Sequence, residues 1–108
     1  MDLQRLQQEV HEWHKANFGT PPAEYPLLIA VEELGELAHA HMKGVQKIRT
    51  DQDHQRKSAD AIGDIVIALA AYCSLRGFSF EQCVRSAWSE VQKRDWKRDP
   101  INGTGGQQ

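Results

Sequence analysis

Apolar residues recur every three or four positions along most of the chain, which is the spacing of an amphipathic α-helix. The first such stretch predicts a helix from about Leu3 to Asn17. Gly19, Pro21 and Pro22 follow and predict a break before the next periodic stretch. The apolar stripe of this helix consists of Leu3, Leu6, Val10, Trp13 and Ala16.

A second helix is expected from Pro26 or Leu27 to about Lys47. Proline suits the first turn, where the N–H that it lacks would have no helical partner. Gly44 and the polar run KIRTDQDHQRKS mark the end of this helix. The polar run predicts a solvated loop or a frayed helix end.

A third helix is expected from about Ser58 to Arg76, and a fourth from Ser79 to Trp96 or Lys97. The segment ADAIGDIVIALAAYCSL is apolar almost all round, which is typical of a central, buried helix. Gly77 predicts the stop of the third helix. Ser79 is the predicted N-cap of the fourth, with Gln82 three residues later as in a capping box.

Four helices with short connections predict an all-α fold of the four-helix-bundle kind. Ala, Leu, Glu, Gln, Lys and Arg dominate the composition, whereas runs of strand-favouring residues are nearly absent. A length of 108 residues fits one domain. We expect residues 1–98 to form this helical domain and residues 99–108 to form a flexible tail.

Charge and cysteine content narrow the class of protein. A net charge of −2 gives no bulk attraction to a nucleic-acid polymer or an anionic membrane. Cys73 and Cys83 are too few for a disulfide framework, and MDLQRLQQEV lacks the apolar segment of a secretory signal. The apolar run IVIALAAYC is too short to span a bilayer. These features predict a cytoplasmic protein with reduced thiols.

The main chemical feature is a group of acids inside two otherwise apolar helices. On a helical wheel, Glu32, Glu33 and Glu36 fall within an arc of about 100°. Glu33 and Glu36 are i,i+3 neighbours and can aim at one point. The second helix is therefore expected to carry a carboxylate face beside an apolar face. The expected apolar face contains Val31, Leu34, Leu37 and Ala38.

The third helix supplies a complementary pair, because Asp60 and Asp64 are i,i+4 neighbours on one face. Isoleucines and Val66 surround Asp64, so we expect little water there, and an unpaired buried carboxylate is costly. Neither LLIAVEELGELA nor AIGDIVIALAAY contains a lysine or arginine as a partner. An E-x-x-E alone is usually a solvated face. The two acidic sets together favour a site for Mg²⁺ or Mn²⁺, which prefer carboxylate oxygens.

Over roughly Trp13 to Pro100 the chain resembles the MazG-type all-α nucleoside triphosphate pyrophosphatases. That family carries E-E-x-x-E on one helix and E-x-x-D on the next long helix. The segment EELGE matches the first element, and VEELGELAHA and DAIGDIVIALAAYC resemble the MazG-like branch beyond the acids. If Asp64 matches the Asp of the family's E-x-x-D motif, Ala61 stands where that motif has Glu. Asp60 lies one residue earlier.

The resemblance implies Mg²⁺-dependent hydrolysis of a (deoxy)nucleoside triphosphate to the monophosphate and pyrophosphate, with Mn²⁺ as a possible substitute. Such an activity would remove non-canonical or excess nucleotides. The implied ligands are Glu33, Glu36 and Asp64, with Asp60 in place of the missing Glu. Glu32 would bind a further metal or orient the attacking water. The family's assembly implies a homodimer or homotetramer that completes the bundle.

Basic residues near these helices are candidates for phosphate contacts. Lys43 lies seven residues after Glu36, on a similar face. By resemblance, the end of the last helix approaches the phosphates, with Lys93 and Arg94 as the best candidates. The alternative is a solvated basic end that complements the helix dipole.

The segment WHKANFG helps to form the nucleobase pocket in the family. Trp13 would stack on a base and Asn17 would hydrogen-bond its edge, while His14 would contact base or phosphate. The alternatives are core packing for Trp13, which continues the apolar stripe, and a solvent-facing His14.

Three rival functions share parts of this pattern. Glu36 and His39 form an E-x-x-H, as in di-iron bundles, but the predicted third helix has no histidine near Asp60 or Asp64. A non-enzymatic module that senses nucleotides or binds a protein would carry a degenerate metal site, which Ala61 permits. A histidine-pathway phosphoribosyl-ATP pyrophosphohydrolase has a related fold and acidic motifs, and a substrate panel separates it.

Overall fold

The computed structural model describes residues 2–105, and this part of the chain contains four α-helices and no β-strand. The helices are α1 (Leu3–Phe18), α2 (Glu24–Gln46), α3 (His54–Arg76) and α4 (Phe80–Val91). The predicted all-α fold is confirmed. The last three residues of the predicted tail lie outside the described part of the chain.

Polar side chains and a glycine fix the helix ends that the sequence indicated. Ser79 accepts a hydrogen bond from the Gln82 N–H at 3.2 Å and so caps α4 as predicted. The Gln82 side chain donates to Ser86 instead of returning to the cap, so only half of the capping box forms. Gly77 ends α3 with a φ of 71°, a left-handed conformation that costs glycine little.

Two helices begin earlier than predicted. Pro26 still lies in the first turn of α2, but the helix starts at Glu24. α3 starts at His54 rather than near Ser58, because Asp53 caps it by accepting from the Arg56 N–H at 2.9 Å. The polar connection between α2 and α3 is therefore short, from residue 47 to residue 53.

α4 ends at Val91, so the predicted extension to Trp96 or Lys97 is wrong. The following segment forms a hydrogen-bonded loop in which Asp95 N–H donates to the Gly103 carbonyl at 3.0 Å. The Asp99 carboxylate accepts from the backbone of residues 101, 102 and 104 and from the Thr104 hydroxyl. These bonds hold the pKa of Asp99 below its ordinary value, chiefly through the Thr104 hydroxyl.

α3 is the central helix, as predicted, since it packs against each of the other three. The expectation that it is buried almost all round is wrong, because Ile62 and Ile67 are exposed. Alanines line its packed faces: Ala61, Ala68, Ala70 and Ala71 are buried. Val10 of α1 and Phe80 of α4 join Ala70, Ala71 and Cys73 in the core, with Leu3 and Leu6 packed against them. The predicted α1 stripe therefore holds over its first half, whereas Trp13 and Ala16 are exposed.

Among the helices of residues 2–105, α2 packs along α3 alone. It has apolar residues on two opposite faces. Its inner face buries Pro26, Ala30 and Ala40. Val31, Leu34 and Ala38 are exposed, so the apolar face expected from the wheel is not the packed one. We call the exposed face the outer stripe: Leu28, Val31, Gly35, Ala38, Met42 and Val45.

The single chain is open in shape. Its accessible surface is 8211 Å² for 12.3 kDa, whereas a compact monomer of this mass exposes about 6,100 Å². Its radius of gyration is 17.6 Å, against about 13 Å for a compact domain of this length. The four helices of one chain therefore leave a large apolar area in contact with solvent.

α3 is also long and apolar enough to cross a membrane by length and composition, although core helices of soluble proteins pass the same test. The prediction that no segment is long enough considered only a nine-residue apolar run within it. The helix carries Asp60 and Asp64, and a charge near a bilayer centre is costly.

Candidate functional site

Five carboxylates meet in one cleft between α2 and α3, which has a volume of about 540 Å³. We call it the charged cleft. The structure thus brings together every acid that the sequence singled out: Glu32, Glu33, Glu36, Asp60 and Asp64. The other lining residues are His39, Ala40, Arg49, Gln52, His54, Lys57 and Ala61.

Helical spacing explains why these side chains converge. On α2, Glu33 follows buried Ala30 by three residues, so it lies on the face that packs against α3. On α3, Asp60 and Asp64 flank buried Ala61, which is only 3% exposed. Small alanines at the contact let the two helices approach each other closely. The acids therefore border the contact between α2 and α3.

Mutual repulsion is visible at Glu33. Partial burial raises the pKa of its carboxyl group, and the negative charges of Asp64, Glu32 and Glu36 raise it further. Within residues 2–105, none of these four acids forms a salt bridge. In this described part of the chain, Asp60 is the one cleft acid in a salt bridge, with the exposed Arg56 at 4.0 Å. Among the described residues, five carboxylates share the cleft with only two cations, Arg49 and Lys57, so its net charge is negative.

The expectation that Asp64 lies where water is scarce is wrong for the single chain, since Asp64 is exposed. The neighbouring Ile62 and Ile67 are exposed as well, at 55% and 43%. Apolar neighbours in the sequence bury a carboxylate only if another helix covers that face. No helix of the described chain covers this one.

The donor chemistry of the charged cleft fits Mg²⁺ or Mn²⁺, because its acids offer only hard oxygen ligands. In their present positions, however, no three His, Cys, Asp or Glu side chains of residues 2–105 lie close enough to hold a metal ion. Metal binding would require the long, rotatable glutamate side chains to turn toward one point. Ala61 contributes no ligand to the cleft wall.

A second cleft, of about 320 Å³, adjoins the first and is mainly apolar. We call it the apolar cleft. Trp13 and Phe18 form part of its wall, with their rings edge to face and 5.6 Å between centroids. Glu33 and Asp64 line both clefts and so lie at their junction. Its remaining lining residues are Val10, His14, Pro26, Ile29, Ile67, Ala68 and Ala71.

The predicted base-contact residues are only partly assembled. Trp13 and His14 line the apolar cleft, and the His14 ring lies 5.3 Å from that of Phe18. Asn17 lines neither cleft, because its side-chain amide donates to the Trp13 carbonyl at 2.8 Å within α1. Phe18 was not singled out by the sequence, although it ends the same helix.

The predicted phosphate-contact residues do not reach the acids within one chain. Lys43 lines neither cleft. Lys93 and Arg94 lie beside the C-terminal loop, in a separate depression with residues 102–105. Lys93 Nζ is 3.6 Å from a carboxylate oxygen of Glu90. The basic residues that do line the charged cleft are Arg49 and Lys57, which the sequence placed in a solvated connection.

Comparisons of the chain with protein-family models, curated proteins and solved structures find no match.

Proposed function

We propose that this protein is a Mg²⁺-dependent nucleoside triphosphate pyrophosphohydrolase. One observation carries the proposal: Glu33 and Asp64 lie where the apolar cleft meets the charged cleft. A nucleotide has the same arrangement as the two clefts, because it carries a flat base at one end and charged phosphates at the other. Bound across the junction, it would place its first phosphate beside the two acids.

The apolar cleft supports the base end of this arrangement. Trp13 is 57% exposed and Phe18 is 62% exposed, so their ring surfaces are available to a ligand. Stacking of a base on an aromatic side chain tolerates different bases and contributes about 1–3 kcal/mol. The His14 imidazole is close enough to this wall to contact a base or a phosphate.

The charged cleft supports the reacting end. Carboxylates alone repel a triphosphate, so a divalent cation is needed to reverse the local charge. Bound Mg²⁺ would supply charge neutralisation and a water molecule of lowered pKa. Glu33, Glu36 and Asp64 are the proposed ligands, with Asp60 in place of the carboxylate that Ala61 lacks. Glu32 is the residue proposed to orient the attacking water and accept its proton.

Hydrolysis by this route breaks the bond between the first and second phosphates. Water attacks the first phosphorus, pyrophosphate leaves, and the nucleoside monophosphate remains. The mechanism uses no covalent nucleophile. Within residues 2–105, no cysteine lines either cleft.

A second copy of the chain completes the proposed assembly. The outer stripe repeats at alternating spacings of three and four, the pattern of a helix that packs against another helix. The surface in excess of a compact monomer is about 2,000 Å² per chain, which matches the area that obligate dimers bury. A homodimer or homotetramer formed through α2 would cover it.

A substrate screen tests the proposed reaction. Canonical and modified (deoxy)nucleoside triphosphates would be incubated with Mg²⁺ or Mn²⁺, and pyrophosphate release would be measured. Glu33→Gln, Glu36→Gln and Asp64→Asn are expected to lose activity while retaining helical circular dichroism. Full activity in all three variants would exclude these acids as the metal site.

A non-enzymatic nucleotide-binding or protein-binding module is the second candidate function. The absence of a preformed group of three metal-binding side chains in residues 2–105, together with Ala61, favours it. Nucleotide binding by calorimetry without pyrophosphate release across the whole panel would establish this alternative.

A further inference from the structure

The charged cleft has a basic end as well as an acidic one. Arg49, in the connection between α2 and α3, and Lys57, in the first turn of α3, both line it. Two hydrogen bonds order this end. The His54 ring donates to the Ile48 carbonyl at 3.0 Å, and Lys57 Nζ donates to Gln52 at 2.8 Å. Arg49 itself has a φ of 51°, which residues other than glycine rarely adopt.

Neither cation is neutralised by an acid of the described chain, although Lys57 donates a hydrogen bond to the uncharged Gln52 side chain. Within residues 2–105, Arg49 and Lys57 form no salt bridge, although five carboxylates line the same cleft. Arg56, the neighbour of Lys57, does approach Asp60. Two exposed, unpaired cations on one wall of a cleft are available to an anion that enters it.

The position of Lys57 on α3 is informative because of Ala61. Lys57, Ala61 and Asp64 are spaced by four and three residues and share one face of the helix. The small, buried Ala61 places no carboxylate between the cation and Asp64. Lys57 and Asp64 are about 10 Å apart along the helix axis. A polyphosphate chain that begins beside Asp64 can cover most of this distance. A hydrogen bond from Lys57 to its last phosphate can cover the rest.

The two clefts therefore present an ordered series: an aromatic wall, then Glu33 and Asp64, then two cations. We infer that Arg49 and Lys57 form a subsite for the terminal phosphates of the substrate, which also binds pyrophosphate after cleavage. This inference rests on the proposed function, because that proposal sets the direction of the nucleotide, with its base in the apolar cleft and its terminal phosphates toward the cations. Arg49 can hold a phosphate through two parallel hydrogen bonds, and Lys57 acts as a point charge.

Binding of inorganic pyrophosphate tests the subsite without any turnover. Calorimetry with Mg²⁺ present would compare the parent with Arg49→Gln and Lys57→Gln. Lys47→Gln is the matched control, because Lys47 lies in the same connection, has a similar φ and does not line the cleft. We expect each cleft variant to bind pyrophosphate roughly tenfold more weakly, the loss typical of a hydrogen bond to a charged group. Lys47→Gln should stay within about twofold of the parent.

A nucleoside monophosphate serves as the internal control, because its single phosphate does not reach the cations. Its affinity should be unchanged in both variants, and Arg49→Lys should restore part of the pyrophosphate affinity. Parent-like pyrophosphate binding in Arg49→Gln and Lys57→Gln, or an equal loss in Lys47→Gln, overturns the subsite. If the subsite is confirmed but the parent cleaves no nucleoside triphosphate, the hydrolase proposal fails alone. If the parent cleaves triphosphates and both variants bind pyrophosphate normally, the subsite fails alone.

Discussion

Glu33 on α2 and Asp64 on α3 share the junction of the two clefts, and the charge of Asp64 contributes to the raised pKa of Glu33. The charge of Asp64 disfavours the ionised form of Glu33 in the folded chain, which reduces the stability of the chain. Their juxtaposition makes sense as a binding site, because a divalent cation converts the repulsion into attraction.

Glu33→Gln is expected to stabilise the metal-free protein. A raised folded-state pKa means that ionised Glu33 disfavours the folded state above that pKa, and the penalty disappears as the pH falls below the unfolded-state pKa. Gln removes the penalty at neutral pH, so its melting temperature in EDTA should exceed that of the parent. Glu12→Gln, on α1 and outside both clefts, should not show this gain.

Addition of Mg²⁺ should reverse the order of stability of the same variants. At one hundred times its dissociation constant, a bound ion stabilises the folded protein by about 2.7 kcal/mol. The parent and Glu12→Gln should gain this increment in thermal scans, while Glu33→Gln should gain much less. Equal Mg²⁺ responses in all three proteins would argue against a metal site at Glu33.

Ala61→Glu is expected to restore a ligand and tighten metal binding. Ala61 lines the charged cleft, so a longer side chain can extend into it, although the backbone there is buried against α2. Ala61→Gln has nearly the same size without the charge and therefore reports the packing cost alone. In calorimetry, Mn²⁺ should bind most tightly to Ala61→Glu, less tightly to the parent and least tightly to Ala61→Gln. No difference between the Glu and Gln variants would mean that Asp60 already serves that position.

Trp13→Ala is expected to weaken nucleotide binding without affecting pyrophosphate. Loss of one stacking partner costs about 1–3 kcal/mol, equivalent to a rise of about fivefold or more in KM. Trp13 is largely exposed, so the substitution should change the melting temperature little. Trp13→Phe should retain most of the affinity. A large loss of folding stability in Trp13→Ala would instead assign the residue to the core.

The sequence predicted local structure well because the relevant interactions are local. The apolar period, Ser79 as a cap and Gly77 as a stop each depend on neighbouring residues, and the structure confirms them. The start of α3 was missed because Asp53, one of several polar residues in the connection, is the cap. Because the predicted start lies four residues too late, the sequence did not show that Lys57 is helical and shares a face of α3 with Asp64.

The sequence predicted less well those features that depend on which helix faces pack against each other. A helical wheel placed the glutamates together correctly, but α2 is apolar on two faces and only packing decides which is inside. The exposure of Asp64 has the same origin. The prediction of Lys43 rests on its position along α2, and that of Lys93 and Arg94 rests on the family resemblance. Arg49 reaches the cleft through the path of a short connection, which neither argument could predict.

The two cysteines should differ sharply in reactivity. Cys73 is buried, and that burial, together with the adjacent Cys83 thiol, raises the pKa of its thiol. Cys83 is exposed on α4. Alkylation of the folded protein at mildly alkaline pH should therefore modify one thiol per chain, as counted by mass spectrometry. Cys83→Ser should leave the folded protein unmodified and the denatured protein with one reactive thiol.

Self-association through the outer stripe is the remaining prediction. Val31 is 61% exposed and lies near the middle of the stripe. Apart from its chain neighbours and the adjacent backbone of α2, a Cβ atom added at the nearby Gly35 would have no atom of residues 2–105 within 4 Å, so this part of the stripe is uncovered. A lysine at position 31 costs the single chain little, because its charge stays in water. Buried against a second copy, the same charge would be costly. Val31→Lys should therefore shift the protein from dimer or tetramer to monomer in analytical ultracentrifugation.

Gln8→Lys is the matched control for Val31→Lys. Gln8 is exposed on the polar side of α1, so this substitution adds the same charge outside the stripe. The control should keep the parent's oligomeric state. The parent should also lose accessible apolar surface on association, so dilution should increase the binding of a hydrophobic dye as chains separate. A parent that sediments as a monomer at every concentration would contradict the outer stripe as an interface. In that case about 2,000 Å² of excess surface would have to be covered by a different protein or stay exposed to water.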